Sequence, residues 1–414
     1  MSDKKNNLNF NWKQLSLWLG ALILGALLGA LNINALNDFF NFVAGIYTRL
    51  FKFAAVPTIA LAVTTTLALL GAKKNTGKIF LHTIVWTLLT TFAAAAVGAI
   101  LYKVIAPGNL PLEMLSQSAG KNLQTPVNFS VYNHILSIFP DNIITPFAAG
   151  NVLSILLIAA AVGLTLALMK ESENTRALLK VILGAQELLF TLIKALIWSL
   201  PLGIVAFSAQ LTAQISAGAA MDSLGKYVAV VLTGNFLQFL VILPLFLLFR
   251  GLNPLKVFKS MLPAVLMAFF TKSSTATLPV TMASAENNLK AKPEVARFVL
   301  PICCTINMNG CAAFIMVTSL FLLQNGGVEL TAGTILLWLL IAIISAVGNA
   351  GVPMGCYFLT LSLMSGAGVP VGIMGIILPV YALIDMVETG VNVWSDSCVC
   401  ALVDKSIKRS EEKM

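Results

Sequence analysis

The chain has 414 residues, of which 58% are hydrophobic and 10% charged, and its mean hydropathy of +0.89 is too high for a water-soluble domain. Its formal net charge of +9 does not point to nucleic acid, because the cations lie between apolar runs and not on a basic face with interleaved aromatics. These figures exclude a soluble nucleic-acid binder and place most of the chain in lipid, as a single membrane domain.

A spanning helix needs roughly 20 apolar residues to cross about 30 Å of hydrocarbon. The runs 15–31, 79–105 and 227–249 meet that length. The N-terminus is polar, and its first apolar run is long enough to stay as a span, so no cleavable signal is expected. The first two thirds read as six ordinary spans, with a polar extracellular stretch near 107–133 and a cytoplasmic turn at 170–176.

Cations cluster in alternate segments between the spans: Lys4 and Lys5; Lys73, Lys74 and Lys78; Arg176 and Lys180; Arg250, Lys256 and Lys259; Lys290, Lys292 and Arg297; Lys405, Lys408 and Arg409. The opposite loops hold few, among them Lys103, Lys121 and Lys226. The chain is expected in the inner membrane, and the positive-inside rule puts both termini in the cytoplasm. The six cysteines, Cys303, Cys304, Cys398 and Cys400 among them, have no metal-ligand spacing and read as buried small hydrophobes. His82 and His134 are isolated, which removes most histidine chemistry.

After Arg250 the pattern changes. The apolar run 258–270 has 13 residues, about 20 Å of helix and short of a crossing. Thr271-Lys272-Ser273-Ser274-Thr275 follows, then a second short apolar piece. The arrangement returns within 337–364, broken at Gly348-Asn349-Ala350-Gly351-Val352-Pro353. Two half-helices around a polar tip read as a re-entrant hairpin, since irregular backbone at membrane depth needs protein or a wet cavity beside it. Two such hairpins argue for an inverted repeat and point to a transporter's binding site. Each is followed by a longer span, one interrupted at Asn307-Met308-Asn309-Gly310 and one running over about 371–403.

In the last span Asp385, Glu388, Asn392 and Asp396 stand at offsets of 0, 3, 7 and 11. At about 100° per residue they occupy a stripe roughly 80° wide. Ionisable groups in a span cost about 2.5 kcal/mol or more each and by default mark an ion or solute pathway. Carboxylates, amides, hydroxyls and carbonyls freed by a helix break suit a hard monovalent cation, sodium first and protons second. A structural polar seam is the bland alternative. Lys272 beside the serines has no second catalytic partner, so a serine nucleophile is not supported. No nucleotide-binding loop is present. The residues read as a transporter and not an enzyme.

The motifs Pro140–Leu153, Leu200-Pro201-Leu202-Gly203, 273–281 (S-S-T-A-T-L-P-V-T), 305–310 (T-I-N-M-N-G), Gly351-Val352-Pro353 and 385–396 (D-M-V-E-T-G-V-N-V-W-S-D) resemble the dicarboxylate/amino acid:cation symporter family over nearly the whole chain. The resemblance implies an all-α polytopic membrane protein of the glutamate transporter-like elevator fold, with eight transmembrane helices plus two re-entrant helical hairpins in inverted repeats. It implies a homotrimer with scaffold elements near 12–72 and 130–215, moving transport elements near 78–106 and 224–404, and a short cytoplasmic tail at 405–414.

Carried over by position, the substrate would be held by Ser273, Ser274, Thr275, Cys311, Gly351, Val352, Pro353, Met354, Gly355, Cys356, Asp385, Glu388, Thr389 and Asn392. Ser274 and the second tip would clamp its carboxylate, with Asp385 on its ammonium. Co-transported sodium would use Asn307, Asn392 and Asp396 with the Cys303 carbonyl at one site. A second would use Thr305 with carbonyls of Met308, Ala346, Val347 and Asn349, and Thr90, Thr91 and Asn309 belong to a third.

The chain departs from the family pattern at four positions. Family members that carry acidic substrates have an arginine where this chain has Glu388, and a glutamate would repel a side-chain carboxylate. The serine/threonine branch is similar to this chain in having Glu there, which implies a small neutral amino acid, with a cationic one second. Asn309 replaces the family's aspartate and Thr87 a tyrosine, so fewer than three sodium ions per cycle are expected. Cys311 replaces a threonine that helps hold substrate. Glu388 could alternatively pair with Lys272 as a gate. A channel-like anion conductance and a sensor are the other classes on this fold, and the tail is too short for a sensor's output domain.

Overall fold

A computed structural model of the chain describes residues 12–71, 77–110, 139–149, 152–170, 172–214, 218–347, 349, 351, 354–369 and 371–411. Among the described residues the regular structure is entirely helical. The first group of helices is α1 (Trp12–Ala30), α2 (Asn34–Gly71), α3 (Gly77–Ile105), α4 (Ile144–Ala149), α5 (Val152–Leu168) and α6 (Glu173–Gln214). α7 (Gly218–Leu237) then passes through a π-helical segment, Gln238–Ile242, into α8 (Leu243–Phe249). The last third holds α9 (Pro254–Thr271), α10 (Ser274–Asn287), α11 (Pro293–Ile306), α12 (Asn309–Asn325), α13 (Ala332–Val347), α14 (Gly355–Gly366) and α15 (Gly372–Glu411).

Five stretches among the described residues are long and apolar enough to cross a bilayer: Lys78–Ile105, Asp222–Phe249, Pro254–Thr271, Pro293–Asn325 and Gly372–Lys408. Large apolar side chains such as Leu240, Phe249, Leu255 and Leu340 are exposed on the outer helices. Water would not tolerate that surface and hydrocarbon does.

α1, α2, α5 and α6 pack on one another, while α3 packs on α7, α12, α13 and α15, and α9 packs on α10 and α15. The α1 seam rests on small residues. A Cβ on Gly25 would lie 2.4 Å from the Val205 carbonyl oxygen, and one on Gly29 2.2 Å from that of Ala209. Small residues one turn apart let two helix backbones close up where lipid gives no hydrophobic drive.

The structure corrects two lengths read from the sequence. α9 has 18 residues, not 13, because Asn253 caps it by accepting from Lys256 N–H and Pro254 opens it; that is about 27 Å of helix. The final helix does not end near 403 but continues to Glu411, so the basic tail is its last turns, with Lys408 Nζ 2.6 Å from Asp404 Oδ2.

Candidate functional site

Four local features build the site. The first is the link between α9 and α10. Lys272 sits in the left-handed region at φ 53°, ending α9, and Ser273 caps α10 by accepting from Ala276 N–H. Ser273 Oγ also donates to the Gly351 carbonyl at 3.1 Å, and Thr275 N reaches the same oxygen at 3.5 Å. The second feature is the break between α11 and α12. Asn307 and Met308 leave helical geometry (ψ 62° and 70°), while Asn307 N–H still bonds Cys303 O at 2.8 Å and Ala312 N–H bonds Met308 O at 2.9 Å.

The third is the link between α13 and α14, where Asn349, Gly351 and Met354 are described. Gly351 (φ 62°) backs onto the α11 end, so a Cβ there would lie 2.5 Å from Cys304 O and 3.0 Å from Met308 Cε. Met354 N–H donates to Asp385 Oδ2 at 3.1 Å. The fourth is the polar stripe of α15. Asp385, Glu388, Asn392 and Asp396 are all buried, Glu388 completely.

The stripe is satisfied in distinct ways along its length. Tyr381 O–H donates to Glu388 Oε2 at 3.0 Å and faces Asp385 Oδ1 at 3.5 Å. Glu388 Oε1 has no hydrogen-bond partner. Asn392 accepts from Gly310 N–H at 2.8 Å and donates to Cys311 Sγ at 3.3 Å. Asp396 accepts from Asn307 Nδ2 at 2.9 Å, which also reaches Ser395 Oγ at 2.9 Å. Thr90 Oγ1 donates to Asn307 Oδ1 at 3.1 Å, and Asn309 Nδ2 donates to Ser395 Oγ. Thr91 Oγ1, Asn309 Oδ1 and Ser274 Oγ are buried with no hydrogen-bond partner. Buried oxygens without a partner fit a hard cation better than they fit an apolar core.

The family model described as the sodium:dicarboxylate symporter family matches residues 15–406. The chain belongs to the sodium:dicarboxylate symporter family. It is 27% identical to excitatory amino acid transporter 3 of Homo sapiens, over 99% of this chain and 88% of that protein. It is also 27% identical to neutral amino acid transporter A of Bos taurus, over 94% and 82%, and 28% identical to neutral amino acid transporter B(0) of Oryctolagus cuniculus, over 90% and 75%. These relatives are transporters, and the chain is a multi-pass membrane protein of a transporter family, not an enzyme.

In this member of the family the sequence-derived residues fall unevenly. Ser273, Thr275, Gly351, Met354, Asp385, Glu388, Asn392, Cys311 and Cys356 are linked by the contacts above and by the sulfur contacts below. Thr389 gives its hydroxyl proton to the Asp385 carbonyl of its own helix at 2.8 Å, and Thr305 likewise to Ile302 at 2.8 Å. Asn349 N–H bonds the Ala346 carbonyl at 3.2 Å; Val347 ends α13, and Gly355 opens α14. Val352 and Pro353 lie outside the described residues.

One reading needs correction. Cys311 and Cys356 are not merely small hydrophobes; they form a disulfide. Cys303, Cys304, Cys398 and Cys400 are free and buried, as read.

Sequence reasoning missed four polar groups. Tyr381 is four and seven residues before the two carboxylates it contacts, and extending the stripe by one turn finds it. Ser395 is masked by its neighbour Asp396. Gln238 Nε2 donates to the Thr90 carbonyl at 3.1 Å from the π-helical turn, and Asn235 Oδ1 lies unpaired near Gly310; neither had a motif to mark it.

Gly310 offers a direct test of this packing. A Cβ there would lie 2.7 Å from the Glu388 carbonyl oxygen and 2.8 Å from Glu388 Cα, backbone atoms that cannot swing aside. Gly310→Ala is expected to cost about 1–3 kcal/mol and to lower the thermal midpoint of the purified protein in detergent. An unchanged midpoint would contradict the close approach of α12 and α15.

Proposed function

We propose that the chain is a sodium-coupled symporter that imports a small neutral amino acid of the serine, threonine or alanine type by an elevator movement. One observation carries the substrate reading: Glu388, fully buried, has one oxygen held by Tyr381 and the other with no hydrogen-bond partner. A carboxylate there repels the side chain of a dicarboxylate and leaves a hydroxyl or methyl group unopposed. The relatives named for neutral amino acids support the same direction.

Ser274, at the N-terminus of α10, and the Met354 tip at that of α14 would present backbone N–H groups to the solute carboxylate, and Asp385 would take its ammonium in exchange with Lys272. Sodium would sit among Asn307, Asn392, Asp396 and the Cys303 carbonyl, with a second ion near Thr305, Met308, Ala346, Val347 and Asn349. Thr90, Thr91 and the neutral Asn309 favour fewer than three ions per cycle. The mutual packing of α1, α2, α5 and α6 supports a scaffold over 12–72 and 130–215 against transport elements over 78–106 and 224–404. Eight spans with two re-entrant hairpins, a homotrimer, and an inner-membrane topology with cytoplasmic termini complete the reading.

A cationic amino acid is the second reading, favoured by the unpaired Glu388 Oε1. A sodium-jump uptake assay in proteoliposomes, competed with serine, alanine, lysine and aspartate, separates the two. Serine or alanine should compete strongly and aspartate should not. Uptake indifferent to the sodium gradient would defeat the symport reading.

A further inference from the structure

An apolar cavity of about 660 Å³ lies between the α7–α8 helix and α9, away from the site described above. Leu240 of the π-helical turn, with Pro244 and Leu248 of α8, forms one wall, Leu255 and Phe258 of α9 the other, and Trp394 of α15 the back. Leu240, Leu248 and Leu255 are 65%, 56% and 70% exposed, so the groove opens outward from the helices. Its back is fixed. Trp394 Nε1 donates to the Phe239 carbonyl at 3.1 Å, and the Phe258 ring stands edge-on to the indole with centroids 5.3 Å apart.

One end of the groove is the turn at Gly251, Leu252, Asn253 and Pro254, where the apolar stretch Asp222–Phe249 has just ended and α9 begins. Lys256 follows Asn253 by three residues and Lys259 follows Leu255 by four, offsets that place side chains on one face of a helix. Both lysines are exposed, and neither is in an ion pair among the described residues. No carboxylate occurs between Asp222 and Glu286; Glu286 is held by Arg297 and Asp404 by Lys408. Arg250, beside the same turn, donates from Nη2 to Ser406 Oγ at 2.9 Å and lies 5.6 Å from the centre of the Trp86 ring. Two cations without a counter-charge therefore stand over the polar end of an apolar groove.

We propose that this groove binds an anionic phospholipid, with one acyl chain between α8 and α9 against Trp394 and the phosphate taken by Lys256 and Lys259. Apolar walls open to hydrocarbon suit an acyl chain, and lysine stems can lie along such walls while their ammonium groups stay at headgroup depth. An anionic headgroup neutralises the pair, whereas a choline headgroup brings a cation of its own. The site does not depend on which solute the chain carries. It does bear on the α15 stripe: Ser395, next to Trp394, accepts from the Asn307 and Asn309 amides, so a chain wedged against the indole braces the part of α15 that carries Asp396.

The test delipidates the full-length protein in detergent, adds phosphatidylglycerol or phosphatidylcholine with the same acyl chains, and counts the lipids retained by native mass spectrometry. Phosphatidylglycerol should be retained, a single molecule per chain, and phosphatidylcholine should be held about tenfold more weakly or worse. Lys256→Gln combined with Lys259→Gln should weaken phosphatidylglycerol by about tenfold or more and leave phosphatidylcholine unchanged. Leu248→Trp and Leu255→Trp, at exposed positions on opposite walls, should each fill the groove and displace the lipid with both lysines intact. Equal retention of the two lipids, a phosphatidylglycerol preference that survives the lysine substitutions, or retention unchanged by both tryptophan substitutions overturns the proposal. Native protein that retains neither lipid also overturns it, and a fall in oligomer mass with Leu248→Trp would then give the groove to a second copy of the chain.

Discussion

Asp396→Asn is expected to abolish sodium-driven uptake while leaving the protein folded. The substitution keeps the size of the side chain and an oxygen for Asn307 Nδ2, now 2.9 Å from Asp396 Oδ1, but it removes the formal charge beside the α11–α12 break. Asn307 and Asn392 are neutral, and the unpaired oxygens of Thr91 and Asn309 are neutral too. Without Asp396 a bare cation would have only dipoles to replace its water. A hundredfold loss of apparent sodium affinity, about 2.8 kcal/mol, is the expected scale. The measurement is the rise in thermal midpoint with sodium chloride over choline chloride, since a ligand of the folded state alone stabilises by mass action. A variant that keeps the wild-type sodium shift would remove Asp396 from the cation site.

Glu388→Gln and Glu388→Arg should move substrate ranking in one direction. Glutamine keeps an acceptor for Tyr381 O–H, 3.0 Å away in the native chain, yet no longer repels an acidic side chain. Aspartate should then compete about tenfold better than against the native protein, about 1.4 kcal/mol. Arginine should extend that gain and weaken serine and alanine. If lysine competition collapses in both variants while serine is untouched, the cationic reading replaces the neutral one. Unchanged ranking in both would mean that Glu388 does not face the solute.

Much of this arrangement is legible in the sequence because lipid imposes simple rules. A carboxylate stripe at helical spacing cannot face hydrocarbon, so Asp385, Glu388, Asn392 and Asp396 had to turn inward. Two amides with one residue between them, Asn307 and Asn309, mark a break within an apolar run, and the backbone leaves helical geometry at Asn307 and Met308. What could not be read depends on which groups meet across the chain. Cys311 and Cys356 are unremarkable locally, and nothing in a spacing of 45 residues marks a bond. The start of α9 is not legible in the sequence because Asn253 and Pro254 look like loop residues by composition and act as a cap and an opening turn.

The carbonyl of Gly351 receives the Ser273 hydroxyl and lies within reach of Thr275 N–H, which makes it a shared keystone between the two links. Whichever link withdraws first breaks the same contact and leaves the other without its brace. Displacing either link therefore costs the same contacts, so substitutions in the two links are expected to be non-additive. A residue as small as Ser273 thereby bears on the position of both links.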